Sequence, residues 1–157
     1  MKTADLYDRF GEELQVAEPG LVHFGGETSF SGTIATVVAP EDNSLVRRAL
    51  ESPGRGRVLV VDGGGSRRVA LLGDQLAALA VANEWSGVVV HGLIRDSLEI
   101  GEMPLGVLAL GTIPRKTEKL GRGEADREVA FAGVTFRPGE FLVADPDGLV
   151  LSAAPPA

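Results

Sequence analysis

The sequence predicts an α/β fold with a β-rich C-terminal third. Between residues 69 and 110, short apolar runs follow the order strand, helix, strand, helix, strand, which is the pattern of strands linked by helices. In the last third, apolar runs are separated by the turn dipeptides Pro138-Gly139 and Asp147-Gly148 instead. A length of 157 residues fits a single domain over residues 1–157.

Strands are predicted where apolar and β-branched residues run between glycines and prolines. The segment that starts at Arg57 continues with four apolar residues, which is typical of a strand covered on both faces. The predicted strands span residues 14–18, 32–39, 57–61, 69–72, 88–90, 107–110, 129–136, 141–144 and 149–152.

Three helices are predicted between these strands. The first covers residues 43–51, with Asp42 or Asn43 as its cap, and ends at Pro53-Gly54. The second covers the Ala- and Leu-rich segment 75–85, and the third is a short helix at 96–101. The polar segment 115–127 is predicted to be a loop.

Composition excludes several classes of protein. The formal net charge of −7 argues against direct nucleic-acid binding, although the arginines at 47–48, 55, 57 and 67–68 are candidates for a local basic patch. The absence of cysteine excludes disulfides, thiolate zinc sites and cysteine nucleophiles. Since no apolar run approaches about 18 residues and no targeting segment is present, we expect a soluble cytoplasmic protein without membrane contact.

An aspartate and an Arg-Asp pair are the candidates for a functional site. Asp74 directly precedes the second predicted helix, Arg95 and Asp96 follow the next buried strand, and twenty residues separate Asp74 from Arg95. A helix and a returning strand bring both ends of that segment to one edge of a sheet, where ligands bind in open α/β folds. Two carboxylates and a guanidinium there predict a site for a divalent metal and a small carboxylate substrate.

Each of these residues also has a purely structural interpretation. Asp74 is placed to be a helix N-cap, accepting hydrogen bonds from the amides of Leu76 or Ala77. Arg95 and Asp96 have the composition of a surface ion pair, which contributes little to stability. The interpretations of Asp74 are compatible, because free amides at a helix start also bind anions.

Other prominent residues are assigned structural roles. The glycine-rich turn at 62–66 lacks the Lys-Ser or Lys-Thr and the glycine spacing of phosphate loops. Its glycines are predicted to let the backbone pass close to a neighbouring element or subunit. His91 has no second histidine placed to share a metal, which favours a structural role. No lysine is predicted to form a Schiff base, because all three lie in polar segments.

Several segments together form a recognisable pattern, namely Phe24-Gly25-Gly26 and residues 54–66, 92–96, 133–136, 144–145 and 147–148. With these segments the chain resembles, over nearly its full length, the RraA family, named for regulator of ribonuclease activity A. The resemblance implies a three-layer β/β/α fold similar to the swivelling phosphohistidine domain. It also implies a ring-like homotrimer with active sites between subunits.

The resemblance implies two functions. Some members inhibit the endoribonuclease RNase E, whereas others are class II aldolases that cleave 4-hydroxy-4-methyl-2-oxoglutarate into two pyruvates and decarboxylate oxaloacetate. The aldolases carry the pattern of Asp, twenty residues and Arg-Asp that is intact here, and the best-known ribonuclease regulators lack its carboxylates. Larger aldolases supply a further carboxylate from a C-terminal extension, which this sequence, ending at Ala157, lacks. A methyltransferase role is disfavoured, because no S-adenosylmethionine-binding glycine pattern is present.

The resemblance, together with the chemistry of the side chains, implies how each candidate residue would act on a small α-keto acid. Asp96 is expected to bind Mg²⁺ or Mn²⁺ directly, in keeping with the one or two carboxylates that Mg²⁺ usually takes. Arg95 is expected to grip the substrate with its planar guanidinium, while Asp74 holds a water that acts as acid or base. Amides at the helix start bind the pyruvyl carboxylate. The expected substrate-binding residues are Gly73, Asp74, Gln75, Leu76 and Arg95.

Overall fold

The computed structural model describes all 157 residues, Met1 to Ala157. It contains four α-helices, of which the longest has nine residues. None of them combines the length and the apolar character that crossing a membrane requires. The helices are α1 (Thr3–Phe10), α2 (Ser44–Leu50), α3 (Asp74–Ala82) and α4 (Ser97–Ile100).

The strands are short and numerous, as the spacing of glycines and prolines predicts. The first seven are β1 (Gln15–Val16), β2 (Val22–His23), β3 (Phe30–Val38), β4 (Val58–Asp62), β5 (Ala70–Leu72), β6 (Gly87–His91) and β7 (Leu93–Ile94). The remaining seven are β8 (Gly106–Ala109), β9 (Gly111–Thr112), β10 (Glu124–Ala125), β11 (Val129–Phe131), β12 (Val134–Phe136), β13 (Phe141–Asp145) and β14 (Gly148–Ser152).

A mixed sheet forms the centre of the molecule. Its strand order is β1-β14-β13-β3-β4-β6-β8-β2, and β10 also pairs with β3. The four strands from β3 to β8 in this order run parallel to one another, because helices return the chain to the same end of the sheet. The flanking strands are antiparallel to their neighbours.

The central strands are buried on both faces. Alternate side chains point to opposite sides of the sheet, and each side is covered by an apolar cluster. In β4, Leu59 and Val61 pack in the cluster that contains the helices, whereas Val58 and Val60 pack in a second cluster on the other side. All four are fully buried. The prediction of a strand covered on both faces is confirmed.

Helices cover one face of this sheet. Leu50 of α2, Ala77 of α3 and Ile100 of α4 are fully buried against it. A small parallel sheet, with the order β5-β7-β9, lies in the same layer and contributes Leu72 and Ile94 to the same cluster. This layer matters for function because β5 ends immediately before α3.

Strands cover the opposite face. The hairpin of β11 and β12 buries Phe131 and Phe136 against side chains such as Val60 and Leu142 of the central sheet. Sheet, sheet and helices therefore stack as three layers, which confirms the predicted β/β/α architecture and the α/β fold class.

Several boundaries differ from the sequence prediction. The helix predicted at 75–85 spans Asp74–Ala82, the loop predicted at 115–127 contains β10, and two predicted strands are altered. The predicted strand at 129–136 is a hairpin, because Ala132 and Gly133 have φ angles of 52° and 73° and reverse the chain between β11 and β12. The predicted strand at 14–18 pairs only at Gln15 and Val16. In both cases the segment predicted from the sequence is longer than the strand that pairs with a neighbour.

Helix α1 was not predicted from the sequence. Only Thr3 and Leu6 are fully buried along it, and Leu6 packs with Phe10 in a small apolar cluster with Val143 of β13 and Val150 of β14. The helix is held by hydrogen bonds from the Thr3 amide and hydroxyl to the Asp145 carboxylate, at 2.8 and 2.7 Å. Burial alone would raise the pKa of Asp145, but these bonds and those from the backbone amides of Asp147 and Gly148 lower it below its ordinary value.

Candidate active site at the start of helix α3

Parallel pairing of β5 and β7 brings the two ends of the predicted site together. The Arg95 amide donates a hydrogen bond to the Leu72 carbonyl at 2.9 Å, so the residues that follow both strands become neighbours. Gly73 and Asp74 continue from β5 into α3, and Arg95 and Asp96 continue from β7 toward α4. The convergence of Asp74, Arg95 and Asp96 at one sheet edge, expected from the sequence, is what the structure contains.

Asp96, rather than Asp74, receives the hydrogen bond at the start of α3. Its Oδ2 accepts the Asp74 amide at 2.9 Å. Gly73 is the N-cap residue, and Asp74 is the first residue inside the helix with no capping hydrogen bond from its side chain. The interpretation of Asp74 as a cap is therefore wrong. Asp74 is the first residue of the helix rather than the residue before it, and its amide donates to the carboxylate of Asp96, 22 positions away in the sequence.

The backbone of Asp96 adopts a left-handed conformation, with φ 58° and ψ 41°. Aspartate tolerates this region better than most residues. Its side chain is 33% exposed, and Oδ1 accepts no hydrogen bond from the protein. One oxygen is thus fixed by the helix start while the other remains free for a ligand.

Arg95 lies beside the Asp96 carboxylate but forms no close ion pair with it. Its Nε is 3.9 Å from Asp96 Oδ2, which is a long ion pair, and its Nη1 donates to the Pro114 carbonyl at 3.4 Å. The side chain is 42% exposed. Since neither contact is short, much of the hydrogen-bonding capacity of the guanidinium is open to a ligand.

Gly73 makes the close approach of these groups possible. A Cβ atom at this position would lie 2.9 Å from Asp96 Oδ2 and 3.4 Å from Arg95 Nε. The backbone there is extended, with φ −128°, so space rather than conformation requires glycine. Any side chain at Gly73 would displace the carboxylate.

A small cleft of about 130 Å³ opens beside these residues. The first helical hydrogen bond of α3 runs from the Ala77 amide to the Gly73 carbonyl at 3.0 Å, so the preceding amides of Gln75 and Leu76 have no partner within the helix. Free amides at a helix start favour a carboxylate. All five residues expected to bind substrate line the cleft, namely Gly73, Asp74, Gln75, Leu76 and Arg95.

The donor set at this cleft fits a metal held mainly by water. No three His, Cys, Asp or Glu side chains anywhere in the chain are grouped so as to hold a metal ion. Asp74 and Asp96 alone supply carboxylates here. Mg²⁺ usually keeps several waters and takes one or two carboxylates, so the free Oδ1 of Asp96 matches that requirement, whereas zinc would need more protein ligands.

Sequence reasoning did not place three cationic residues at this cleft, although it named Arg47 among candidates for a basic patch. Arg47 of α2 lines the cleft together with Arg95, and so do Lys116 and Lys119 of the loop that follows β9. No local pattern distinguishes them, because they meet only through pairing of Lys116 with Ala70 and packing of the loop on α2. Among the arginines that were candidates for a basic patch, Arg57 stacks on Trp85 at 4.6 Å and Arg68 pairs with Glu41 at 3.6 Å, so both have partners within the chain.

The glycine-rich turn and the His91 ring both pack against neighbouring elements of the chain. The amides of Gly63 and Gly65 donate to the His91 carbonyl at 3.1 and 3.0 Å, and a Cβ on Gly63 would lie 2.8 Å from that oxygen. The His91 ring is stacked on Phe131 with centroids 4.5 Å apart. The turn therefore binds the neighbouring strand β6 rather than a phosphate.

The fold and the site together define a class of protein. It is a three-layer β/β/α domain with a cleft at the carboxyl ends of parallel strands, bordered by free helix-start amides and an Arg-Asp pair. The sequence profile of the RraA-like family, described as Aldolase/RraA, matches residues 3–151. The chain belongs to this family.

Relatives of this chain are named for three different functions. A protein of Laribacter hongkongensis, provisionally named 4-hydroxy-4-methyl-2-oxoglutarate aldolase, is 58% identical over 98% of this chain and 96% of its own length. A Geobacillus kaustophilus structure described as S-adenosylmethionine:2-dimethylmenaquinone methyltransferase superposes with a TM-score of 0.97, at 55% identity over 99% and 96% of the two chains. The RNA-processing inhibitor RraA from Thermus thermophilis gives 0.96, at 47% identity over 100% and 95%.

Proposed function

We propose that this chain is a metal-dependent lyase that cleaves 4-hydroxy-4-methyl-2-oxoglutarate to pyruvate and also decarboxylates oxaloacetate. The observation that carries the proposal is the meeting of Asp74, Arg95 and Asp96 at a cleft bordered by free helix-start amides. The provisional aldolase names of relatives at 58% and 56% identity support the same activity.

The helix-start amides and Arg95 bind and orient the 2-oxo acid. Amides of Gln75 and Leu76 receive the carboxylate next to the keto group, since they point out of α3 without partners. Arg95 donates to the keto oxygen, where negative charge grows as the carbon–carbon bond breaks. Asp96 would hold Mg²⁺ or Mn²⁺, which acts as a Lewis acid toward that oxygen when bound.

Asp74 moves the proton. In aldol cleavage it accepts the proton of the C4 hydroxyl through a water, the C3–C4 bond breaks, and the electron pair passes toward the keto oxygen. The C4 fragment leaves as pyruvate, and protonation of C3 of the remaining fragment gives the second pyruvate. In oxaloacetate the corresponding bond releases carbon dioxide, and the same protonation follows. No lysine imine is required, and Lys116 and Lys119 are exposed.

The test is turnover of both acids by purified protein with and without Mg²⁺. Arg95→Lys keeps the charge but loses the planar fork, so it should remain folded and lose roughly 10²–10³ in rate. Asp96→Asn should bind Mg²⁺ weakly and lose turnover. Arg48→Lys, an exposed position outside the cleft, is the matched control. Metal-independent turnover, or wild-type rates in both site variants, would reject the proposal.

A second function is supported by the likeness to the Thermus RNA-processing inhibitor. We infer that the acidic exterior can bind an RNase E-type ribonuclease, with an affinity that falls as salt rises. Asp96→Asn should inhibit such a ribonuclease as well as the wild type, because the cleft and the outer surface are separate. Loss of inhibition in this variant, with its fold intact, would contradict the separation.

We also propose that the chain assembles as a homotrimer, as the family resemblance implies. Large apolar side chains are available for subunit contact: Leu98, two residues after Asp96, is 76% exposed, and Val16 is 50% exposed. Light scattering at micromolar concentration should give three times the chain mass of 16.4 kDa. A monomer mass would count against the trimer and against sites between subunits.

A further inference from the structure

Positive charge collects at the cleft of a chain that is acidic as a whole. Four cationic side chains line the cleft, against the lining carboxylate of Asp74 and the adjacent carboxylate of Asp96, which leaves a formal local charge of +2. The whole chain carries −7. The cationic residues are Arg47, Arg95, Lys116 and Lys119.

Three of these cations have no anionic partner in the protein. None of Arg47, Lys116 and Lys119 lies within 4.0 Å of a carboxylate, although other arginines form five ion pairs with carboxylates. A cleft lined by one sign of charge focuses the field and concentrates ions of the opposite sign. One substrate carboxylate at the helix start does not balance this charge.

The loop that carries the two lysines is fixed by buried polar groups. The Asp42 carboxylate, only 2% exposed, accepts the backbone amides of Leu120 at 2.7 Å and Arg122 at 3.1 Å. The buried Thr117 hydroxyl donates to Asn43 Oδ1 at 2.9 Å. These bonds fasten the loop to the start of α2, the helix that supplies Arg47.

Resting on the function proposed above, we propose that Arg47, Lys116 and Lys119 form a second anion subsite, which holds the far carboxylate of a dicarboxylic 2-oxo acid. The first carboxylate then lies at the amides of Gln75 and Leu76. The size of the cleft supports a small acid, because about 130 Å³ is well below the roughly 300–1,000 Å³ of pockets for drug-sized ligands. The enzyme thereby selects dianionic over monoanionic 2-oxo acids.

The test compares two probes by titration calorimetry in the presence of Mg²⁺. The dianion 2-oxoglutarate and the monoanion 2-oxobutyrate share the 2-oxo acid group and differ in the far carboxylate. In the double variant Lys116→Gln/Lys119→Gln, and in Arg47→Gln, affinity for 2-oxoglutarate should fall about tenfold, as expected for loss of a charge-assisted contact. Affinity for 2-oxobutyrate should stay at the wild-type value. Arg48→Gln, one residue along α2 and outside the cleft, should change neither.

The outcomes separate the subsite from the function on which it rests. Wild-type binding of both probes, with equal losses or no losses in the variants, would overturn the subsite and leave the lyase proposal standing. Binding of neither probe by the wild type would overturn both. Circular dichroism of each variant checks that its fold is kept, and all three positions are exposed, so the substitutions remove no buried group.

Discussion

Replacing Asp96 by Asn and by Ala separates its role at the start of α3 from its proposed role as a metal ligand. Asp96→Asn keeps an oxygen that can accept the Asp74 amide, now 2.9 Å from Oδ2, and asparagine tolerates the left-handed φ of 58°. It removes the negative charge that a cation requires. Asp96→Ala removes both the acceptor and the tolerance for that backbone conformation.

The stability costs follow from these contacts. Because the Asp96 side chain is one-third exposed, the low end of each range applies: about 1.5 kcal/mol for a hydrogen bond to a charged acceptor and about 0.5 kcal/mol for a neutral one. Asp96→Asn should therefore cost about 1 kcal/mol. Asp96→Ala should cost about 2.5 kcal/mol, since the left-handed conformation adds about 1 kcal/mol. At about 2–4 °C per kcal/mol for this size, the melting temperature should fall by about 3 °C and about 8 °C, respectively.

Calorimetric melting of three variants tests this reasoning. Asp126 has a φ of 62°, is exposed and makes no hydrogen bond through its side chain, so Asp126→Ala carries the conformational cost alone, about 1 kcal/mol. Amide exchange at Asp74 should accelerate in Asp96→Ala and not in Asp126→Ala. Equal melting temperatures for these two alanine variants, with unchanged exchange at Asp74, would show that Asp96 does not stabilise the start of α3.

Three further changes test neighbouring contacts. Gly73→Ala should fold but bind Mg²⁺ more weakly in calorimetry, because its methyl would lie 2.9 Å from Asp96 Oδ2. Hydrogen bonds from the amide and hydroxyl of Ser44 and from loop amides outweigh burial and lower the pKa of Asp42 in the folded protein. The ionised Asp42 therefore stabilises the fold fully above the unfolded pKa of about 3.9, and this contribution is lost as pH falls through the folded pKa. The free energy of unfolding should thus fall less in Asp42→Asn than in the wild type between roughly pH 6 and pH 3 in chemical denaturation. Thr117→Val should weaken 2-oxoglutarate binding in calorimetry by loosening the lysine loop, and unchanged affinity would refute that role.

Local patterning was enough to predict the central strands and the meeting of Asp74 with Arg95 and Asp96. The apolar runs of β4 and β6 identify strands buried on both faces, and the twenty residues between Asp74 and Arg95 are enough for a helix and a returning strand. Those features depend on neighbours in sequence. The meeting of both ends at one edge follows from parallel pairing, which the alternation of strands and helices predicts.

Contacts between distant segments were beyond this kind of prediction. Asn43 and Thr117 are 74 positions apart, and Asp42 and Arg122 are 80 apart, so nothing in either segment indicates the other. The polar composition of the lysine loop looks the same whether the loop is free or fastened. The cation cluster at the cleft therefore becomes visible only when the loop is seen against α2.

The assignment of the α3 cap to Asp96 changes how the site is understood. A cap made by Asp74 itself would tie its carboxylate to the helix and remove it from the chemistry. Because Asp96 Oδ2 takes the amide instead, Asp74 keeps a side chain without a capping bond at the cleft, and Asp96 keeps Oδ1 free. The backbone amide also holds the Asp96 carboxylate in place before a cation arrives, which lowers the entropy cost of ordering it. One long-range hydrogen bond thus orders a prospective metal ligand and frees a prospective acid–base group.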